Sequence, residues 1–201
     1  MIERPVIWLF GIFKRTWVSV VLLSLAVSNL ISSLDRANWV EEDNILILAF
    51  LTGLVFGWLL ARSHFSGLFA FFYSLVVALA VSIEGVSRAL PSWGDFLSTP
   101  FSQSLYQINL RGYEFFLRAG GWVDQLEKGE NIRDTGIFVL LLGFILALCG
   151  AWMMWKLIRQ DRALEALLPA GFLMALNVHL SRQPLTQYWM FLFCAILLIV
   201  Q

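Results

Sequence analysis

Charge is scarce in this chain, and that scarcity excludes whole classes of protein. Only 14% of the residues are Asp, Glu, Lys or Arg, against 59% hydrophobic, whereas a soluble domain carries roughly 25% charged residues. The chain therefore lacks the polar coat needed to face water on all sides. Its 14 basic and 14 acidic residues cancel to a formal net charge of +0, so no overall basic field is available to attract nucleic acid. Cysteine is almost missing. Cys149 and Cys194 both sit inside apolar runs, where a thiol is a small inert hydrophobe and a disulfide is not expected. The two histidines, His64 and His179, fall on opposite membrane faces in the topology derived below and cannot share a metal or a proton. No HExxH, CxxC, phosphate-loop or GxSxG pattern occurs. No catalytic residue, metal site or cofactor is expected.

What the chain has in abundance is long stretches without charge. Trp17–Leu34, Asn44–Ala61, Phe65–Ile83, Thr135–Trp155 and Ala166–Leu180 carry no Asp, Glu, Lys or Arg, and Thr186–Val200 begins a sixth such run. Runs of about 17–25 apolar residues are what a ~30 Å hydrocarbon layer selects, because backbone in lipid must satisfy its own hydrogen bonds as helix. The expected fold is all-α, a polytopic transmembrane bundle over 1–201. Its spans are placed at about 17–34, 45–61, 65–83, 135–156, 164–180 and 186–201, with an extracytoplasmic segment over 84–134. The nine-residue stretch Pro5–Phe13 is too short to span and precedes Lys14 and Arg15, not a small-residue cleavage site. It reads as an interfacial segment, with no cleavable signal peptide apparent.

Orientation follows from Lys and Arg. Assigning alternate connections to one side gives seven basic and three acidic residues on the N-terminal side, and seven basic and eleven acidic on the other. The N-terminus is therefore expected in the cytoplasm, with the chain in the plasma membrane. No span buries a carboxylate or basic group at mid-membrane, which argues against an ion-driven transporter. The polar intramembrane candidates are Asn29 and Asn177, with Glu84 at the outer end of the third span; the two asparagines read as helix–helix hydrogen bonds. Pro169 and Gly171 read as a kink, a broken helix at a transport site being the alternative.

Small residues mark candidate packing positions. Gly53 and Gly57 form a small-xxx-small pair in the second span, and Ala147 and Ala151 form another in the fourth; such pairs let helix backbones approach closely. Between the third and fourth spans, Phe101, Leu105, Ile108, Gly112, Phe115, Ala119, Trp122 and Leu126 recur at steps of four and three beside Gln107, Arg111, Glu114 and Arg118. That is an amphipathic helix, expected to break at Gly120-Gly121 and to lie on the outer leaflet or cap the bundle. Pro91, Gly94 and Pro100 punctuate its approach and Gly129 its exit.

One arrangement resembles a known family. It consists of Gly57-Trp58-Leu59-Leu60-Ala61-Arg62-Ser63, then Tyr113 and Trp122-Val123-Asp124-Gln125-Leu126-Glu127-Lys128-Gly129 with Asp134. Trp152-Met153-Met154-Trp155-Lys156-Leu157-Ile158-Arg159 closes the fourth span, and Ala166-Leu167-Leu168-Pro169-Ala170-Gly171-Phe172-Leu173-Met174-Ala175-Leu176-Asn177 comes after it. The pattern resembles the N-terminal membrane region of bacterial transglutaminase-like membrane proteins. The resemblance implies a further span beyond Gln201 and then a papain-like extracytoplasmic core with Cys, His and Asp. No catalytic residue carries over to this chain, because Cys149 and Cys194 match no nucleophile position. A span ending at Gln201 without a basic anchor fits a truncated or split reading frame. The expected function is membrane anchoring of such a core. The alternatives are an integral membrane subunit of a transporter or lipid-handling complex, or a stand-alone scaffold. The lipid bilayer is the expected partner, together with that core or with partner membrane subunits.

Overall fold

A computed structural model describes residues 21–37, 44–91, 94, 100–130, 134–182 and 184–200. Among them there are helices and no strands. We number the helices α1 (21–37), α2 (Asn44–Arg62), α3 (Gly67–Ser87), α4 (Phe101–Glu127), α5 (Thr135–Gln160), α6 (Ala163–Ser181) and α7 (Thr186–Val200). An apolar run predicts every element but α4, because charge-free stretches of this length have no polar face with which to meet water; α4 follows from its amphipathic spacing. Four helices, α2, α3, α5 and α6, are long and apolar enough to cross a membrane, and α7 is a shorter apolar helix. The interfacial segment Pro5–Phe13, the start of the first expected span and most of the following loop lie outside the described residues.

One expectation changes. Gly120-Gly121 does not break α4, which runs without interruption to Glu127. Neither glycine is crowded, and a continuous helix costs each only about 1 kcal/mol relative to Ala, less than the side-chain anchors on both sides of the pair supply. The stop comes at Gly129. With φ of +68°, Gly129 takes the left-handed conformation, its N–H donates to Leu126 O at 3.1 Å and the Glu130 N–H to Gln125 O at 2.9 Å. This is a Schellman ending, which favours glycine because a Cβ is penalised at positive φ. Pro169 sits inside α6, which continues through it; the alternative of a broken helix is the one this continuity disfavours.

The chain divides into two compact units, residues 44–152 and residues 1–43 with 153–201. In the first, Ala49 of α2, Ala78 of α3 and Ala147 of α5 are buried together, with Val81, Phe144 and Leu148 packed against them. Small residues also occupy the neighbouring turns. A Cβ added to Gly143 would lie 3.4 Å from Ser82 Oγ and 3.8 Å from the Ala49 Cβ. Ser82 beside Gly143 and Ala78 beside Ala147 make α3 and α5 antiparallel, so the end of α3 and the start of α5 share one end of this unit.

In the second unit, α6 buries Ala166, Ala170, Met174, Asn177 and Val178, steps of three and four along one face. Phe191 of α7 fills the space beside Gly171, where a Cβ would come within 3.2 Å of the ring. The turn from α5 to α6 is held by Glu165, which accepts from Lys156 Nζ at 2.6 Å and from Arg162 at 2.7 Å. The Glu165 carboxylate meets water while the Lys156 stem is largely covered, so these pairs position the turn more than they stabilise it.

Gly120 has open space around it in the middle of a helix, and its substitution tests the continuity of α4. Gly120→Ala is expected to stabilise the protein by about 0.5–1 kcal/mol, read as a raised melting temperature in detergent. A lowered one would mean that the helix breaks there.

Candidate functional site

Gly53 and Gly57 of α2 face Ala147 and Ala151 of α5. A Cβ on Gly53 would run into the Ala147 carbonyl oxygen, and one on Gly57 would lie 2.6 Å from the Ala151 Cα. The hydrogen that replaces a side chain on each glycine thus points at a neighbouring carbonyl, the geometry of a weak Cα–H···O contact. Gly150 completes the seam from the other side, since its Cβ would fall 2.6 Å from Phe50 O and 2.9 Å from Leu54 N. The sequence pattern missed Gly150 because it lies one turn off the Ala147–Ala151 pair. The stripe Gly143, Ala147, Gly150, Ala151, at helical steps of four, three and one, would have revealed it.

The other candidate positions lie in the other unit. Asn177 is buried, and its Nδ2 donates to both Ser33 O and Ser33 Oγ of α1 at 2.8 Å. Asn29, expected to play the same part, instead donates to Leu25 O of its own helix at 2.8 Å. It therefore links no two helices by that bond. Pro169 leaves the Glu165 carbonyl without its helical donor, in the first turns of α6. His64 and His179 are exposed, Cys149 and Cys194 are buried and unpaired to one another. Among the described residues no three His, Cys, Asp or Glu side chains gather to hold a metal.

A polar network fixes α4 to the ends of two spanning helices. Asp134 immediately precedes α5 and accepts from the Gly136 N–H at 2.8 Å, capping that helix where the first N–H groups lack partners. The same carboxylate pairs with Arg118 through both oxygens and accepts from Trp122 Nε1 at 2.8 Å. A second tie runs from Arg111, which donates to Arg88 O at 2.6 Å. Arg88 follows α3 in the left-handed conformation, with φ of 47°. Ser104, Phe115 and Trp122 are buried along α4, and the Phe115 and Trp122 rings meet edge to face, 6.1 Å apart. Asp134 reads in the sequence as a loop charge and as part of the family-like arrangement but not as a cap, although an Asp directly before an apolar run is the sequence signature of one.

The hydrogen bond from Arg118 holds the Asp134 carboxyl well below the usual carboxylate range, aided by the Gly136 and Trp122 N–H groups and opposed by partial burial. Arg118 is raised in turn, chiefly by the same bond. The carboxylate is a fixed acceptor near neutral pH, unsuited to carrying a proton. Near the span ends, Arg62 lies over the Trp58 ring at 4.2 Å and Arg159 over Trp155 at 4.6 Å. Each is a cation–π contact at i,i+4 that suits the headgroup layer. Comparison with protein-family models, curated proteins and solved structures finds no match to this chain.

Three outcomes follow from this geometry. Gly57→Leu is expected to cost about 1–3 kcal/mol through overpacking, read as a lowered melting temperature in detergent; an unchanged value would show that the seam is loose. Asn177→Leu should cost about 1 kcal/mol in the same measurement, whereas a neutral effect would remove its bond to Ser33 from the account. The Asp134 contribution has a definite pH signature. Its folded-state pKa is depressed, so the stabilisation is fully present above the unfolded value near 3.9 and lost as pH falls through the folded one. The difference in melting temperature between the parent and Asp134→Asn should stay flat from pH 7 to about pH 5 and shrink below about pH 4. A difference that grows on acidification would contradict it.

Proposed function

We propose that this chain is a membrane-embedded helical scaffold that anchors an outward-facing transglutaminase-like, cysteine-peptidase-like core in the bacterial plasma membrane. Six spans carry it in this reading, α1 and α7 joining the four long helices, with the amino end in the cytoplasm. The observation that carries the reading is the bracing of α4. Arg118 and Trp122 tie it to the capping residue of α5, and Arg111 ties it to the end of α3. A connection held at two points is a fixed platform on the side where the resemblance expects the core. The Trp58…Arg62 and Trp155…Arg159 contacts give the resembling motifs a physical role as headgroup anchors.

The competing reading, a membrane subunit of a transporter or lipid-handling complex, drew on the amphipathic helix α4 and on a broken helix at Pro169. Pro169 lies in a continuous α6, and Phe191 occupies the space beside Gly171, so the second of these supports weakens. Sequencing past the codon for Gln201 discriminates the two. The anchor reading requires a Cys/His/Asp core in the same or the adjacent frame; a neighbouring ATPase in its place would refute it. The orientation has its own check. A cysteine introduced at Gly129 should label with an impermeant reagent from outside intact cells and one at Ser63 should not, and the opposite pattern would invert the topology.

A further inference from the structure

The surface of α4 is divided into four arcs, and the division does not fit a helix that has water on both flanks. At 100° per residue, the buried residues Ser104, Phe115 and Trp122 fall within about 20° of one another and define the side turned to the protein. About a quarter turn to one side stand the polar residues Gln103, Gln107, Glu114, Arg118 and Gln125, with Leu110 at the outer edge of that flank. About a quarter turn to the other side stand Phe101, Leu105, Phe116, Ala119 and Val123, all apolar. The four large residues of that second flank are exposed, Phe116 to 73%. The arc facing away from the protein is mixed and carries Tyr106 and Tyr113, the residue type of membrane–water boundaries. Were α4 a cap immersed in water, both flanks would meet the same solvent and no force would keep one of them free of polar side chains.

The two ties fix where this helix sits. Arg111 and Arg118 are two turns apart along α4, about 10 Å, and hold Arg88 and Asp134, which mark the same end of the antiparallel α3 and α5. Points at a similar level are thus joined to points well separated along α4, so its axis crosses the span ends and does not continue them. A helix so placed meets the headgroup layer edge-on.

We infer that α4 is an in-plane helix embedded at the lipid–water boundary, its Leu105–Phe116–Val123 flank sunk into acyl chains and its Gln103–Gln107–Glu114 flank in water. The occupant of the exposed apolar flank is lipid. Lipid already covers side chains of this kind on α3, a helix apolar enough to cross the membrane, where Phe69, Phe72 and Val76 are likewise exposed. Withdrawal of apolar side chains from water is the force that holds it, and the Arg118–Asp134 pair stays on the wet edge, where a charge costs least. The inference stands on the membrane reading alone and is independent of the transglutaminase resemblance.

The test uses the full chain with Cys149 and Cys194 replaced by Ala, reconstituted in phosphatidylcholine vesicles. Nitroxide labels are placed singly at Leu105, Phe116, Val123, Gln103, Gln107 and Glu114, exposed positions whose substitution leaves the packed side untouched. Variants that keep the parent's melting temperature are then compared for collision with oxygen and with a water-soluble nickel chelate. The expected result is loss of nickel collision with retained oxygen collision at 105, 116 and 123, and full nickel access at 103, 107 and 114. Nickel access on both flanks would mean a helix in water, and shielding of 105, 116 and 123 from both reagents would mean a protein partner. Either result overturns the inference. As a second reading, Phe116→Asp combined with Val123→Asp should restore nickel access at position 105, and continued shielding there would count against lipid as the occupant.

Discussion

Helices in hydrocarbon gain nothing from hiding apolar side chains from one another, because lipid is as apolar as they are; association must come from close contact. In this chain that contact is the approach of α2 to α5, where Gly53, Gly57 and Gly150 leave no room for a Cβ. The rest of the first unit depends on it. The alanines around Ala147 are buried because the backbones are near, and Ser82 meets Gly143 because both are small. Dispersion between closely fitted backbones is individually weak and collectively large, so one inserted side chain forfeits many contacts.

Polar interactions in this protein then act as positional devices. Asn177 spans two helices through Ser33 within the second unit, and in an apolar medium a bond of this kind fixes register more than it adds stability. Asp134 does three tasks with two oxygens: it caps α5, neutralises Arg118 and receives the Trp122 N–H. Because each partner lowers the energy of the charged form, the group is locked as carboxylate. A carboxylate locked in this way serves architecture, and a proton relay would need one poised nearer neutrality.

The helices themselves were legible, since a charge-free run has one stable form in lipid. Boundaries were legible where a strong local rule applies, as at Gly129, and misjudged where tertiary contacts override propensity, as at Gly120-Gly121. The glycine and alanine pairs could be seen one helix at a time. That Gly53 meets Ala147 and Gly57 meets Ala151 is a statement about two helices, and no periodicity within one of them contains it. The same limit explains Asn29 and Asn177, which are chemically identical in sequence, one bonded to its own helix and the other across to a neighbour. Asp134, Arg118 and Trp122 are separated by too many residues, and by too ordinary a composition, for spacing to reveal that they converge.

The central claim is that lipid is the solvent of these helices. The most direct measurement is the partitioning of the full chain after membranes carrying it are washed at alkaline pH and floated on a density gradient. The account predicts that the chain floats with the vesicles and is released only by detergent. Recovery of a monodisperse, folded monomer in the aqueous fraction would contradict it.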